Sequence, residues 1–155
     1  MSPTGVLWAG LAGFIATAPM TATMIALHRR LPWDERYPLP PRFVTMATAD
    51  KLEADDDMSE SDRAVATLGA HFAYGAAAGM VYPAVAKLLP LGPALSGATL
   101  GIMVWTVSYL GWLPLTGLHR SATEEPGNRN ALMLVAHLVW GSVTGVIAER
   151  LSRRE

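Results

Sequence analysis

The 155-residue chain has no cysteine, which excludes disulfides, thiolate metal sites and thiol redox chemistry. Charge is scarce as well: 16% of residues are Asp, Glu, Lys or Arg, against 51% apolar. The net charge is −1 and no dense basic block occurs, so nucleic acid is not an expected partner. No phosphate-binding glycine loop, nucleophile elbow or His-Glu-x-x-His zinc helix is present. The long apolar runs contain neither a nucleophile–base pair nor paired acids, so no catalytic residue and no enzymatic activity is expected.

The acid that does occur is concentrated, with nine of the thirteen Asp and Glu between residues 29 and 63. Outside that polar acidic loop the chain is a series of apolar runs at about 5–27, 65–89, 95–118 and 131–148. Each is near or above the roughly 18 to 20 residues that cross a bilayer. A soluble domain of this size would carry polar helix faces, and these runs have none. The expectation is an all-α membrane protein, residues 1–155 forming a single four-transmembrane-helix bundle with the lipid bilayer as its first partner. Ala16-Thr17-Ala18 resembles a signal cleavage site, but no Lys or Arg precedes the run, so the first span is expected to stay. The loops after spans one and three hold eight of the twelve Lys and Arg, and the opposite side four, Arg154 included. By that bias loops 29–63 and 119–130 face the cytoplasm.

One pattern occurs twice. Residues 70–79 read AHFAYGAAAG and residues 136–145 read AHLVWGSVTG. Each is His-x-x-aromatic-Gly-x-x-x-Gly, near the start of span two and of span four. Spans one and three end alike, in Leu27-His28-Arg29 and Leu118-His119-Arg120. A tandem-duplicated helical hairpin accounts for both matches, its copies being parallel repeats about an axis along the membrane normal.

Residues four apart share a helix face, so His71 lines up with Gly75 and Gly79, and His137 with Gly141 and Gly145. Gly97 and Gly101 repeat the small-xxx-small spacing in span three. Such glycines mark helix–helix interfaces, and the histidines therefore point into the bundle. There an imidazole either fastens helices by a hydrogen bond, worth about 0.6 to 2 kcal/mol, or handles a proton, a metal ion or haem. Haem held by both histidines is compatible with the glycines only if each glycine face packs on span one or three. In span one, Met20 and Met24 are candidate thioether ligands for Cu(I), on the same stretch as Thr17, Thr21 and His28. His28 and His119, beside arginines at span ends, are further candidate ligands or interfacial residues. Trp105, Tyr109 and Trp112 share a face of span three and form a candidate aromatic pocket for a quinone or lipid tail.

The loop 29–63 begins with a rigid proline segment, Pro38, Pro40 and Pro41. Residues 42–54 are expected to form a short surface helix, and Ser59 to Asp62 a capping box for span two. Asp55-Asp56-Asp57 reads as a solvated turn, since a calcium loop needs alternating ligands and a glycine. Glu35 and Arg42 in this loop, with Glu125 and Arg129 in the next, are a candidate latch. As exposed pairs each is worth under about 1 kcal/mol.

Taken together, Pro40-Pro41-Arg42, the paired His-x-x-aromatic-Gly motifs and Arg129-Asn130-Ala131-Leu132-Met133 resemble the YagU-like group of small bacterial inner-membrane proteins of unknown function. That resemblance implies a helical bundle, multi-pass, in the bacterial inner membrane. It carries no activity and no catalytic residue. The first functional reading is a structural bundle whose loops dock a membrane-protein partner or a second copy, with no cofactor. The alternative is a bundle whose interior histidines bind or conduct a proton, metal ion or haem.

Overall fold

The computed structural model describes residues 3–54 and 56–153. Asp55 of the acidic turn and Arg154 of the charge count lie outside them. Among the described residues there are seven α-helices and no strand: α1 (Pro3–His28), α2 (Pro40–Lys51), α3 (Glu60–Gly79), α4 (Tyr82–Leu88), α5 (Pro93–Val107), α6 (Leu113–Leu115) and α7 (Gly127–Ser152). Four stretches are long and apolar enough to cross a membrane: Pro3–His28, Glu60–Leu88, Pro93–Leu115 and Gly127–Ser152. Their outward faces expose large apolar side chains such as Leu7, Phe14, Leu95 and Val107. Those faces suit a bilayer environment.

Prolines set several starts. Pro40, Pro83 and Pro93 occupy first-turn positions of α2, α4 and α5, where a missing N–H costs nothing. Gly92, at φ +87, makes the turn into α5 in a conformation that L side chains rarely adopt. At α3 the capping box forms: the Asp62 N–H donates to Ser59 Oγ, and the Ser59 N–H to Asp62 Oδ2.

Two spans expected to be continuous are interrupted. The second breaks at Met80–Val81 between α3 and α4. The third opens into a π-type turn, Ser108–Trp112, before α6, and is kinked there at Gly111, whose backbone is not helical (φ −118, ψ −108). Pro114 supplies the physical reason for the latter: it cannot donate to the preceding turn, and its ring crowds it.

α5 packs along α7, α7 along α1, and α1 along α3. Glycines bring the backbones into contact. A methyl at Gly97 would overlap the Gly141 carbonyl, and one at Gly101 the His137 carbonyl. On the other side, Gly13 meets the backbone of Gly75 and Gly79. Ala9, Ala12 and Ala16 complete that small-residue face of α1, fully buried. α3 is not packed along α5 in the same way, and a cavity opens there.

Candidate functional site

The cavity measures about 210 Å³ and draws its walls from α1, α2, α3, α7, the end of α5 at Val104, and the π turn with Leu113 of α6 after it. The π turn is what brings Ser108, Tyr109 and Trp112 to it. A widened turn shifts the register of the side chains that follow, and such turns recur at functional sites. Across the seam the Tyr74 hydroxyl and Ser108 Oγ share a 2.8 Å hydrogen bond. The Tyr74 and Trp112 rings lie 6.0 Å apart. Pro40, Pro41, Val44 and Thr45 of α2 close one side.

Both motif histidines line this one cavity. His137 Nδ1 donates to the Met133 carbonyl at 2.7 Å. His71 differs, because its Nε2 is buried with no hydrogen-bond partner. A buried imidazole nitrogen left unpaired costs about 1 to 3 kcal/mol. Tyr109 presents its ring to His137 at 5.9 Å and to His119 at 5.6 Å, edge to face in both cases. His119 is buried under Phe43 of α2, its Nδ1 bonded to the Arg120 carbonyl. It is packed inside the bundle.

The remaining candidates divide. Met20 lines the cavity, whereas Met24 is buried elsewhere in the core. Trp105 stacks on Tyr109 from behind at 6.2 Å and is not in the wall. Among the described residues no group of three or more His, Asp or Glu is arranged to hold a metal ion. The glycine faces of α3 and α7 pack on α1 and α5 respectively, so the two histidine-bearing helices do not meet through their glycines.

The latch differs from its expected form. Arg129 and Glu125 are buried, their side chains 4% and 5% exposed, with Nε 3.1 Å from Oε2. The Arg129 guanidinium also donates to the carbonyls of Glu35, Tyr37 and Pro38 at 2.8, 3.1 and 3.0 Å. It sits 3.6 Å over the Tyr37 ring. The Tyr37 hydroxyl donates to Glu125 Oε2, and Asn128 donates to Glu35 Oε1. His28 belongs here too, its Nε2 3.1 Å from the Tyr37 carbonyl. Burial, followed by the bond to Glu125, raises the Tyr37 pKa above its ordinary 10.0. Arg42 takes no part in this cluster and pairs with Glu60 on the surface. The expected exposed pairs are therefore one buried guanidinium that ties the loop before α2 to the start of α7.

Residues 45–146, from within α2 to within α7, match the family described as Protein of unknown function (DUF1440). The chain belongs to that family. The DUF1440 match takes in both motif histidines, the π turn and Arg129, while α1, the loop after it and the start of α2 as far as Val44 lie before it. No curated protein and no solved structure matches this chain.

Several participants are not signalled by sequence. Tyr37 and Ser108 sit in no motif of their own. Tyr74 is the aromatic of the first His-x-x-aromatic-Gly motif and Trp140 of the second, but the motif does not tell that Tyr74 reaches Ser108 and Trp140 the Gly13 backbone.

Proposed function

We propose that this is a multi-pass membrane protein of the bacterial inner membrane that holds a small lipid-soluble molecule in the cavity between α3 and α5. The observation that carries the reading is His71, a residue of the wall of an apolar cavity whose buried Nε2 has no hydrogen-bond partner. Buried polar groups in folded proteins are almost always satisfied, and a ligand polar group met by a turn of the His71 ring would satisfy this one. The structural and partner-docking reading accounts for the glycines and for the His137 bond. It gives His71 nothing to do, and so it ranks second.

Residues 1–155 are read as one bundle of two duplicated hairpins. Two pairs of contacts support the duplication. The glycines of α3 pack on α1, and those of α7 on α5. The matched aromatics cross to the opposite hairpin: Tyr74 to Ser108, and Trp140 through Nε1–H to the Gly13 carbonyl at 3.0 Å.

The test is to purify the protein from native membranes, extract bound small molecules and identify them by mass spectrometry. Val104→Trp, which fills a wall position, is the comparison. A molecule enriched on wild type and absent from the variant supports the reading; identical extracts would refute it. A visible spectrum and metal analysis of the same sample decide between an organic ligand and haem or a metal ion.

A further inference from the structure

We infer that the cavity ligand is an aromatic alcohol, a lipid-soluble phenol or quinol, whose hydroxyl is read by His137 and the Tyr74–Ser108 pair. The inference rests on the ligand reading above and adds the chemical class.

Three observations define what the cavity offers. First, the Met133 carbonyl can only accept, so the proton of the neutral His137 ring is on Nδ1 and its Nε2 is left as an acceptor. Second, Tyr74 and Ser108 bring two hydroxyl protons to one shared hydrogen bond, which leaves one O–H donor over. Third, His71 Nε2 is unpaired and adapts to either role. A hydroxyl both donates and accepts, so it answers an acceptor and a spare donor together. A ketone or ether oxygen meets only the donor and leaves His137 unmatched.

The walls select the rest of the molecule. Tyr74, Tyr109, Trp112 and Trp140 present aromatic rings, and Pro40 with Pro41 presents a flat rigid edge. A planar aromatic ring fits between such surfaces better than a branched aliphatic one. A phenol also donates more strongly than an aliphatic alcohol, which favours it opposite an imidazole acceptor.

The protein in lipid nanodiscs is titrated with tetramethylhydroquinone, with tetramethylbenzene as the hydroxyl-free isostere, and with Cu(I). Binding is followed by tryptophan fluorescence, Trp112 and Trp140 being in the wall. Tetramethylhydroquinone is expected to bind about five- to tenfold tighter than tetramethylbenzene, the ratio one net hydrogen bond gives. His137→Phe should abolish that preference while retaining tetramethylbenzene. If that variant does not fold, the double variant Tyr74→Phe, Ser108→Ala, which removes both hydroxyls and with them the spare donor, makes the same comparison and should narrow the ratio. Equal affinity of the two compounds for wild type overturns the hydroxyl assignment but leaves a ligand cavity. One equivalent of Cu(I) that displaces the hydroquinone overturns it in favour of a metal site. No saturable response to any of the three refutes the ligand reading itself.

Discussion

Removing the Arg129 guanidinium should unseat the loop before α2 and cost far more than an ordinary surface ion pair. The side chain is buried and donates to three backbone carbonyls as well as to Glu125. In Arg129→Met the carbonyls of Glu35 and Pro38 lose the partner that satisfied them, and Glu125 becomes a buried carboxylate without its main counter-charge. Breaking a buried pair from one side costs about 3 to 5 kcal/mol. Glu125→Gln keeps an acceptor for the Tyr37 hydroxyl and should cost less, about 1.5 to 3 kcal/mol. The double variant should be more stable than the sum of the two, because neither charge is left alone. The coupling should reach about 2 kcal/mol. Arg42→Met is the control, since its partner Glu60 is 80% exposed and such pairs are worth under about 1 kcal/mol. Unfolding in mixed micelles gives the energies, and tryptic cleavage after Arg36 and Arg42 reports release of the loop. Equal stability of Arg129→Met and Arg42→Met, or strict additivity of the Arg129 and Glu125 changes, would refute the reasoning.

Other expectations follow from single contacts. Gly141→Ala places a methyl on the Gly97 carbonyl, whereas Gly69→Ala meets nothing within 4 Å. The first should therefore cost more than about 2 kcal/mol, and the second should be neutral or stabilising by up to about 1 kcal/mol. Equal thermal midpoints would contradict the packing. Tyr37 should titrate above 10.0, because the fold favours its protonated form. The stability this contributes is complete below the ordinary value and is lost as pH rises through the raised one. A phenolate absorbance difference between wild type and Tyr37→Phe that develops at or below 10.0 would exclude it. The natural absence of cysteine allows single thiols to report topology. Asp57→Cys should be shielded from an impermeant maleimide in intact cells and Ser152→Cys labelled, and the reverse pattern inverts the orientation.

The helical spans were legible because long apolar runs have few other physical solutions. The α3 capping box was legible because its chemistry is local. The burial of the latch is not legible in the sequence, because Arg129 is buried by where three backbone carbonyls of a distant loop end up, and no local pattern encodes that. The π turn was missed for a related reason. Pro114 announces a disturbance, but not whether the helix kinks, ends or widens. The widened turn, kinked at Gly111, carries Ser108, Tyr109 and Trp112 into one wall, so the cavity is not legible as such, although its two histidines and two of its aromatics are.

On the proposed duplication, Tyr74 and Trp140 hold matched positions, yet only one seam is filled. Trp140 is 2% exposed and reaches the Gly13 backbone, and α7 packs along α1. Tyr74 is 42% exposed, and it reaches a side chain, Ser108, across a gap. The smaller aromatic at the first position and the widened turn opposite it leave the space that the larger one fills elsewhere. Tyr74→Trp should therefore move the α3–α5 seam toward the closed one. The added indole occupies cavity volume, so the fold should tolerate it at a cost or gain within about 1.5 kcal/mol. Both tetramethylhydroquinone and tetramethylbenzene should bind at least about tenfold more weakly, a loss of about 1.4 kcal/mol. Tyr74→Phe combined with Ser108→Ala separates bulk from bonding, since it removes both hydroxyls of the shared bond: it should keep tetramethylbenzene binding and weaken only the hydroquinone. If Tyr74→Trp folds with wild-type stability and binds both compounds as before, the cavity between α3 and α5 is not where they bind.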